Sequence, residues 1–200
     1  MPEDRGGSPN DSGLLVVGSG AMACLFGALL GPHRPVTLLG TWKAGIEALS
    51  ASGVTLESPV GERRVSVQAT FRPEACRGVR LALVLVKSWQ TDRAGAQLAQ
   101  CLAPDGVAVT LQNGLGNTEK LAMHLGADRV AQGVVTVGAT LLGPGRVRFG
   151  GSGVVQLAED ERLGCLHDWL EEAGFEVRWA QDLAAAVWEK TQKTASSDTR

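Results

Sequence analysis

Features that mark several classes of protein are missing from this chain of 200 residues. Its cysteines form no Cys-x-x-Cys pair and have no histidine cluster beside them, which argues against a zinc site. A disulfide framework would be unusual for such a chain, so we expect reduced thiols, with Cys24 and Cys101 at buried helix positions. No apolar run reaches membrane-spanning length. The net charge of −2 argues against a general nucleic-acid binder, which is usually basic.

Targeting signals are also missing from the start of the sequence. Residues 1–13 lack the apolar core of a secretory signal, and they contain acids in place of the arginine-rich pattern of a mitochondrial signal. We interpret them as a disordered leader and expect a cytoplasmic protein. The remaining chain is long enough for a substantial core, and its composition, 44% hydrophobic and 20% charged, is that of a soluble globular protein.

The strongest pattern that is present lies at residues 14–30. Four apolar residues lead into Gly-x-Gly-x-x-Ala, and a helical pattern follows. This order predicts a buried parallel strand, a tight turn and a helix whose first N–H groups favour an anion. Gly18 permits the turn, Gly20 lets the backbone approach a pyrophosphate, and Ala23 lets the helix pack near the strand. The pattern predicts dinucleotide binding; the alternative is a structural strand–turn–helix that binds nothing.

The end of the second predicted strand, residues 35–39, bears on the choice of cofactor. NAD-specific proteins of this kind usually place an acid there, which bonds the ribose 2′-OH. Here Gly-Thr-Trp-Lys follows without an acid, which favours NADP, with Thr41 and Lys43 as contacts. Alternatively, Lys43 is a solvated residue in the first turn of a helix over 43–52. Trp42 lies near the adenine or is a packing residue.

Polar residues follow two further predicted strands, at 81–86 and 106–111. Ligands of open α/β sheets bind at the carboxyl ends of strands. Lys87 could there reach a cofactor phosphate or ribose or a substrate carboxylate, or it only caps the strand. Asn113 could bond the nicotinamide ribose or a substrate oxygen, or it is a turn asparagine.

A hairpin and two helices are also predicted within the first two thirds of the chain. Alternating residues around Ser-Pro-Val-Gly predict an antiparallel hairpin over 54–69, inserted at the sheet edge. Helices are predicted at 91–102 and 119–125, the second capped by Asn117 or Thr118.

The last third is rich in β-strand patterns. Residues 130–158 predict an antiparallel extension of the sheet, followed by a helix over 162–173 and a strand over 175–179. A last helix is predicted to begin at the N-cap residue Asp182. The fold class that we predict is α/β: a Rossmann-type, doubly wound, mostly parallel sheet with an antiparallel extension.

Four motifs occur in a fixed order along the chain: Gly18-Ser19-Gly20-Ala21-Met22-Ala23, Val86-Lys87-Ser88-Trp89-Gln90-Thr91, Gln112-Asn113-Gly114-Leu115-Gly116 and Val187-Trp188-Glu189-Lys190. With this combination the chain resembles the ketopantoate reductase (2-dehydropantoate 2-reductase) family. The resemblance covers residues 14–190. The family reduces 2-dehydropantoate to pantoate with NADPH, in pantothenate biosynthesis, so the resemblance implies an oxidoreductase.

The resemblance implies a role for each matching residue. Lys87 and Asn113 would lie near the nicotinamide ribose, and Asn113 also near the substrate. Ala139 matches a further cofactor contact. Lys190 matches the general acid, which contacts the substrate and protonates the alkoxide that forms on hydride transfer; from its local pattern alone it would be an exposed helix lysine. The pyrophosphate would be held by Gly18, Ser19, Gly20, Ala21, Met22 and Ala23.

The sequence also departs from the family pattern. Thr194 and Asp198 stand where the family has substrate-binding asparagines. The family continues into an all-helical second domain, which these 200 residues do not include. We therefore expect a leader at 1–13, an NADP-binding domain at 14–180 and the start of a truncated helical domain at 181–200.

Three functions follow from these observations. The first is NADP-dependent reduction of a small-molecule 2-keto acid, without nucleic acid or membrane as partner. The second is a truncated module that binds NADP(H) and turns over little, with its apolar surface at Val187 and Trp188 covered by a homodimer or another partner. The third, a Rossmann methyltransferase, would need an acid where Gly40 stands.

Overall fold

Two β-sheets and five α-helices make up the part of the chain that the computed structural model describes, residues 13–181 and Leu183. The helices are Ala21–Leu30 (α1), Lys43–Ser52 (α2), Thr91–Leu98 (α3), Asn117–Leu125 (α4) and Gly164–Glu172 (α5). The strands are Leu14–Val17 (β1), Val36–Leu39 (β2), Val54–Ser58 (β3), Gly61–Val65 (β4), Gln68–Thr70 (β5), Val79–Val84 (β6), Leu102–Thr110 (β7), Val130–Val135 (β8), Ala139–Gly143 (β9), Arg146–Phe149 (β10), Val154–Ala158 (β11) and Glu176–Ala180 (β12).

The main sheet has eight strands in the order β12-β11-β8-β7-β6-β1-β2-β5. The chain runs outward from β1 to β2 and β5, then returns to the other side of β1 with β6, β7 and β8, all in parallel. The pairing of β8 with β11 is antiparallel. The predicted fold class, a doubly wound and mostly parallel sheet with an antiparallel extension, is confirmed. Its topological switch point, where such sheets bind ligands, lies between β1 and β6.

Helices cover both faces of this sheet. One face packs on α3 and α4 through a cluster that includes Leu98 and Leu121, both fully buried. The other face packs on α1 and α5, where Phe26 and Phe175 bring their ring centroids to 4.7 Å. The opposite side of α1 packs on the four-stranded second sheet, in the order β4-β3-β10-β9. This position explains why α1 is apolar on every side, since a helix of that composition needs burial all round.

The predicted hairpin over 54–69 was partly wrong. β3 and β4 do pair antiparallel, but they belong to the second sheet. β5 leaves the hairpin and pairs in parallel with β2 in the main sheet. Apolar and polar residues alternate from Val65 through Val67 to Ala69, across the point where the chain changes sheets, so the sequence shows no break there.

The predicted antiparallel extension at 130–158 also divides between the sheets. β8 and β11 extend the main sheet, whereas β9 and β10 form a hairpin in the second sheet. Gly150 N–H donates to the Gly138 carbonyl at 2.8 Å. This bond joins the residue just before β9 to the residue just after β10, at the open end of the hairpin. Alternation predicts strands but not the partner of each strand, so this division was not visible in the sequence.

Two helix boundaries were predicted wrongly. α3 ends at Leu98 rather than at residue 102, because β7 begins at Leu102 and pairs there with Val79. Cys101 is therefore buried in a turn, whereas Cys24 is buried in α1 as predicted, and its burial raises the pKa of its thiol to about 12. The N-cap of α4 is Gly116, with φ of 83°, and not the predicted Asn117 or Thr118.

None of the helices in the described part of the chain has the length and apolarity that a membrane crossing needs.

Candidate functional site

A cleft of about 370 Å³ opens at the carboxyl ends of the central strands, at the switch point of the main sheet. Its walls are the turn between β1 and α1, the segments that follow β2, β6 and β7, and residues at the ends of β8 and β9. The volume lies within the range of small-molecule sites. The cleft therefore coincides with the place where the topology itself predicts a ligand.

The glycine turn at the base of the cleft requires glycine at position 18. Gly18 has φ of 138°, which side chains with a Cβ rarely adopt. An added Cβ would lie 3.3 Å from both the Leu85 carbonyl oxygen and the Ala23 Cβ. Gly18 N–H donates to the Leu39 carbonyl at 2.8 Å. Gly18 is thus needed by the fold itself, as the sequence predicts.

Gly20 is glycine for a different reason. Its φ of −86° is open to any residue, and an added Cβ would meet no atom within 4 Å. Neither backbone strain nor packing within the described protein explains the glycine. Gly20 is exposed, lines the cleft and precedes α1, whose first turn has neither a side-chain cap nor an acid. The site therefore offers uncapped helix N–H groups with room for an anion close to the backbone.

Ser19 leaves little room for a side chain at position 40, directly after β2. Ser19 is 7% exposed, and a Cβ at Gly40 would lie 2.8 Å from its Oγ. A carboxylate side chain at position 40 would therefore collide with the glycine turn.

The charged residues that line the cleft are all positively charged. The charged members are Lys87 and Arg93, and no carboxylate is among them. Lys87 follows the end of β6, and its backbone N–H donates to Gln90 Oε1 at 3.3 Å. Arg93 lies in the first turn of α3, with Nη1 at 3.4 Å from Thr41 Oγ1. Two cations without an acid, beside a helix N-terminus, favour an anionic ligand.

A buried polar network joins the segments that carry Lys87 and Asn113. Gln112 Nε2 donates to the Val86 carbonyl and to Thr91 Oγ1, both at 2.9 Å. Thr91 Oγ1 lies 2.9 Å from Asn117 Oδ1. Asn117 Nδ2 donates to the Asn113 carbonyl at 3.1 Å. The ends of β6 and β7 are thereby held together at the mouth of the cleft.

We expect the Thr91→Val variant to lose about 1–3 kcal/mol of unfolding free energy, because it removes the hydroxyl that bonds the buried Asn117 Oδ1 and one of the two acceptors of Gln112 Nε2. Chemical denaturation of the whole chain measures this loss. The control is Thr140→Val on the exposed side of β9, where the change should stay within about 0.5 kcal/mol. Equal effects of the two substitutions would show that the network adds no stability.

Most of the residues singled out from the sequence meet in this cleft. Ala23 is fully buried behind the glycine turn and does not line the cleft. Lys43 is not among the lining residues either: its side chain is 82% exposed, and its Nζ lies 3.8 Å from Glu47 on the same helix. Lys190 lies outside the described residues. The predicted residues that line the cleft are Gly18, Ser19, Gly20, Ala21, Met22, Thr41, Lys87, Asn113 and Ala139.

Sequence reasoning missed Arg93 as a lining residue. Its position in the first turn of the helix after β6 was a usable signal, because that turn starts at the same edge of the sheet as Lys87. Trp42 also lines the cleft; a Cβ at Gly45 would lie 2.3 Å from its ring, so the ring rests directly on α2.

The comparisons with known proteins agree with one another. The family model described as ketopantoate reductase PanE/ApbA matches residues 14–162. A 2-dehydropantoate 2-reductase of Halobacterium salinarum is 35% identical over 186 residues, which cover 88% of this chain and 60% of the relative. Its counterpart in Pyrococcus horikoshii is 30% identical, with 89% of this chain and 59% of the relative covered.

Solved structures show the same relationship. The PanE/ApbA family ketopantoate reductase of Ralstonia eutropha superposes with a TM-score of 0.82 at 30% identity, over 89% of this chain and 59% of that one. D-mandelate dehydrogenase, solved with NADH and anilino(oxo)acetate, shares the fold with a TM-score of 0.82 at 22% identity, over 89% and 60% of the two chains. This chain thus spans about 60% of the length of the curated relatives it matches. It belongs to the ketopantoate reductase family.

Proposed function

We propose that the chain binds NADP(H) in the cleft and serves the NADPH-dependent reduction of a 2-keto acid, 2-dehydropantoate, to pantoate. The observation that carries the proposal is the cleft itself: a glycine turn at an uncapped helix N-terminus, with Lys87 and Arg93 as its charged lining and no acid. The substrate follows from the names of the relatives, which are 2-dehydropantoate 2-reductases.

The residues present fit a nicotinamide dinucleotide. The pyrophosphate would lie at the turn of residues 18–22, where Gly20 leaves space and α1 directs its first N–H groups. Lys87 and Asn113 would contact the nicotinamide ribose, and Ala139 would be a further contact across the cleft. The Asn113 backbone is held in place at the cleft, because its carbonyl accepts hydrogen bonds from Ser88 Oγ and Asn117 Nδ2.

The preference for NADP over NAD follows from the end of β2. Gly40 offers no carboxylate for a ribose 2′-OH, and Ser19 occupies the space that an acid would need. D-mandelate dehydrogenase was solved with NADH, so both coenzymes belong in the test.

The chemistry divides between the coenzyme and this chain. The bound coenzyme supplies the hydride. Asn113 would orient the keto acid at the mouth of the cleft. Lys190, by the motif it shares with the family, would donate a proton to the alkoxide oxygen and stabilise the negative charge that develops there.

The organisation of the chain enters the same proposal. Residues 14–180 would form the NADP-binding unit, and the predicted start of the helical domain, residues 181–200, lies outside the described residues except for residue 181 and Leu183. A second copy of the chain or another partner would cover the apolar residues Val187 and Trp188, which lie outside the described residues. We propose a cytoplasmic location, as is usual for a biosynthetic reductase that uses soluble substrates.

A titration of the full chain with NADPH, and separately with NADH, tests the proposal. Energy transfer from tryptophan to the reduced nicotinamide reports binding, because Trp42 lines the cleft. We expect saturable binding with a preference for NADPH, and about 2.7 kcal/mol of added stability at a hundredfold excess over Kd. Addition of 2-dehydropantoate should then consume NADPH. A folded chain that binds neither coenzyme would overturn the proposal, and binding without turnover would restrict it to a coenzyme-binding module.

A further inference from the structure

We propose that Arg93, and not Lys43, the basic residue that follows β2 in sequence, recognises the 2′-phosphate of NADP(H) in this chain. The inference rests on the proposed function, since it names the residue that would select the coenzyme in the same cleft. It assigns to α3 a role that the sequence pattern suggested for α2.

The geometry brings Arg93 to the end of β2 from the other side of the cleft. α3 follows β6, which lies on the opposite side of β1 from β2 in the sheet. Arg93 Nη1 nevertheless lies 3.4 Å from Thr41 Oγ1, although 52 residues separate them in sequence. Both residues line the cleft, and Thr41 stands just past β2, where the ribose of a dinucleotide lies in this class of fold.

The charges around Arg93 leave its guanidinium available to a ligand. In the part of the chain that the structure describes, no carboxylate forms an ion pair with it. The adjacent acid, Asp92, instead pairs with His124 of α4 at 2.9 Å. Lys43, by contrast, lies within 3.8 Å of Glu47 on its own helix and outside the lining of the cleft.

The chemistry of this corner matches a phosphate monoester. A guanidinium presents several N–H donors in one plane and can bond two phosphate oxygens at once. The Thr41 hydroxyl adds a donor beside it, and Gly40 contributes no opposing charge. An unphosphorylated ribose would find no carboxylate for its 2′-OH here. The same corner should therefore increase the affinity for NADPH and contribute little to the affinity for NADH.

The test compares Arg93→Gln with the wild-type chain in titrations with NADPH and NADH. We expect Arg93→Gln to weaken NADPH binding about 10- to 100-fold, because a charge-assisted contact is lost. NADH binding should change by less than about threefold. Arg93→Lys should recover part of the loss, since it restores the charge without the planar donors. Titration with 2′,5′-ADP and 5′-AMP should reproduce the difference with fragments that lack the nicotinamide.

The control is Arg80→Gln, an exposed arginine of β6 that pairs with Asp105 at 3.6 Å and does not line the cleft. It should leave the affinity for both coenzymes unchanged. The proposal for Arg93 is overturned if its substitution weakens both coenzymes equally or neither, or if Lys43→Gln alone removes the preference. A wild-type chain that binds neither coenzyme would instead refute the proposed function, and the inference with it.

Discussion

The Gly20→Ala variant is expected to fold normally and to lose most of its affinity for NADPH. The added Cβ would meet no protein atom within 4 Å, so the fold has no need to adjust. It would occupy the space that the proposed pyrophosphate needs beside the first turn of α1. One extra methyl group in a tightly fitted site costs about 1–3 kcal/mol, which corresponds to a roughly 5- to 150-fold loss of affinity. Titration with NADPH and thermal unfolding of the same sample measure the two properties.

Two other glycines provide the comparison for this variant. Gly164→Ala adds a Cβ that also meets nothing within 4 Å, but at the start of α5, so coenzyme affinity should not change. Gly18→Ala should destabilise the chain by about 1–3 kcal/mol, because alanine is strained at φ of 138°. Unchanged NADPH affinity in Gly20→Ala would contradict the proposed position of the pyrophosphate.

The largest loss of stability is expected from Phe26→Ala. Phe26 is fully buried in α1, between the two sheets, and its ring centroid lies 4.7 Å from that of Phe175. Removing a buried phenyl ring costs about 3–5 kcal/mol, through lost apolar burial and the cavity that remains. Because α1 also carries the glycine turn, coenzyme binding should weaken as the folded population falls. Urea denaturation measures the change in unfolding free energy.

Phe71→Ala is the matched control for this substitution. Phe71 is 41% exposed and follows β5 at the edge of the main sheet, so its loss should cost less than about 1 kcal/mol. A destabilisation of Phe26→Ala no larger than that of Phe71→Ala would contradict the placement of α1 between the sheets.

The parts of the fold that the sequence predicted correctly share one property: their signals are local. The apolar run of β1, the glycine turn and α1 are neighbours in the chain, so one stretch of sequence records all three. The buried face of α5, with Leu166, Trp169 and Leu170, follows in the same way from helical spacing. Local signals also located Lys87 and Asn113, because each stands three residues past the end of a strand with a buried apolar run.

Strand partners and helix ends were harder to predict because they depend on distant residues. β5 leaves the hairpin for the main sheet, yet its alternation is the same in either place. The end of α3 is set by the pairing of Leu102 with Val79, and nothing within the helical pattern records that pairing. The N-cap of α4 is Gly116, and the oxygen of the Asn117 side chain, which would have capped the helix, accepts a hydrogen bond from Thr91 instead.

The Rossmann-type order of elements, the glycine turn and the missing acid after β2 can all be predicted from the amino-acid sequence. These features depend on residue type and spacing within short segments. The identity of the cation at the end of β2, in contrast, depends on long-range packing. Arg93 and Thr41 are 52 residues apart, and they meet because the sheet places β6 and β2 on either side of β1. Lys43 is closer in sequence but turns toward Glu47, because a helix brings residues four apart onto one face.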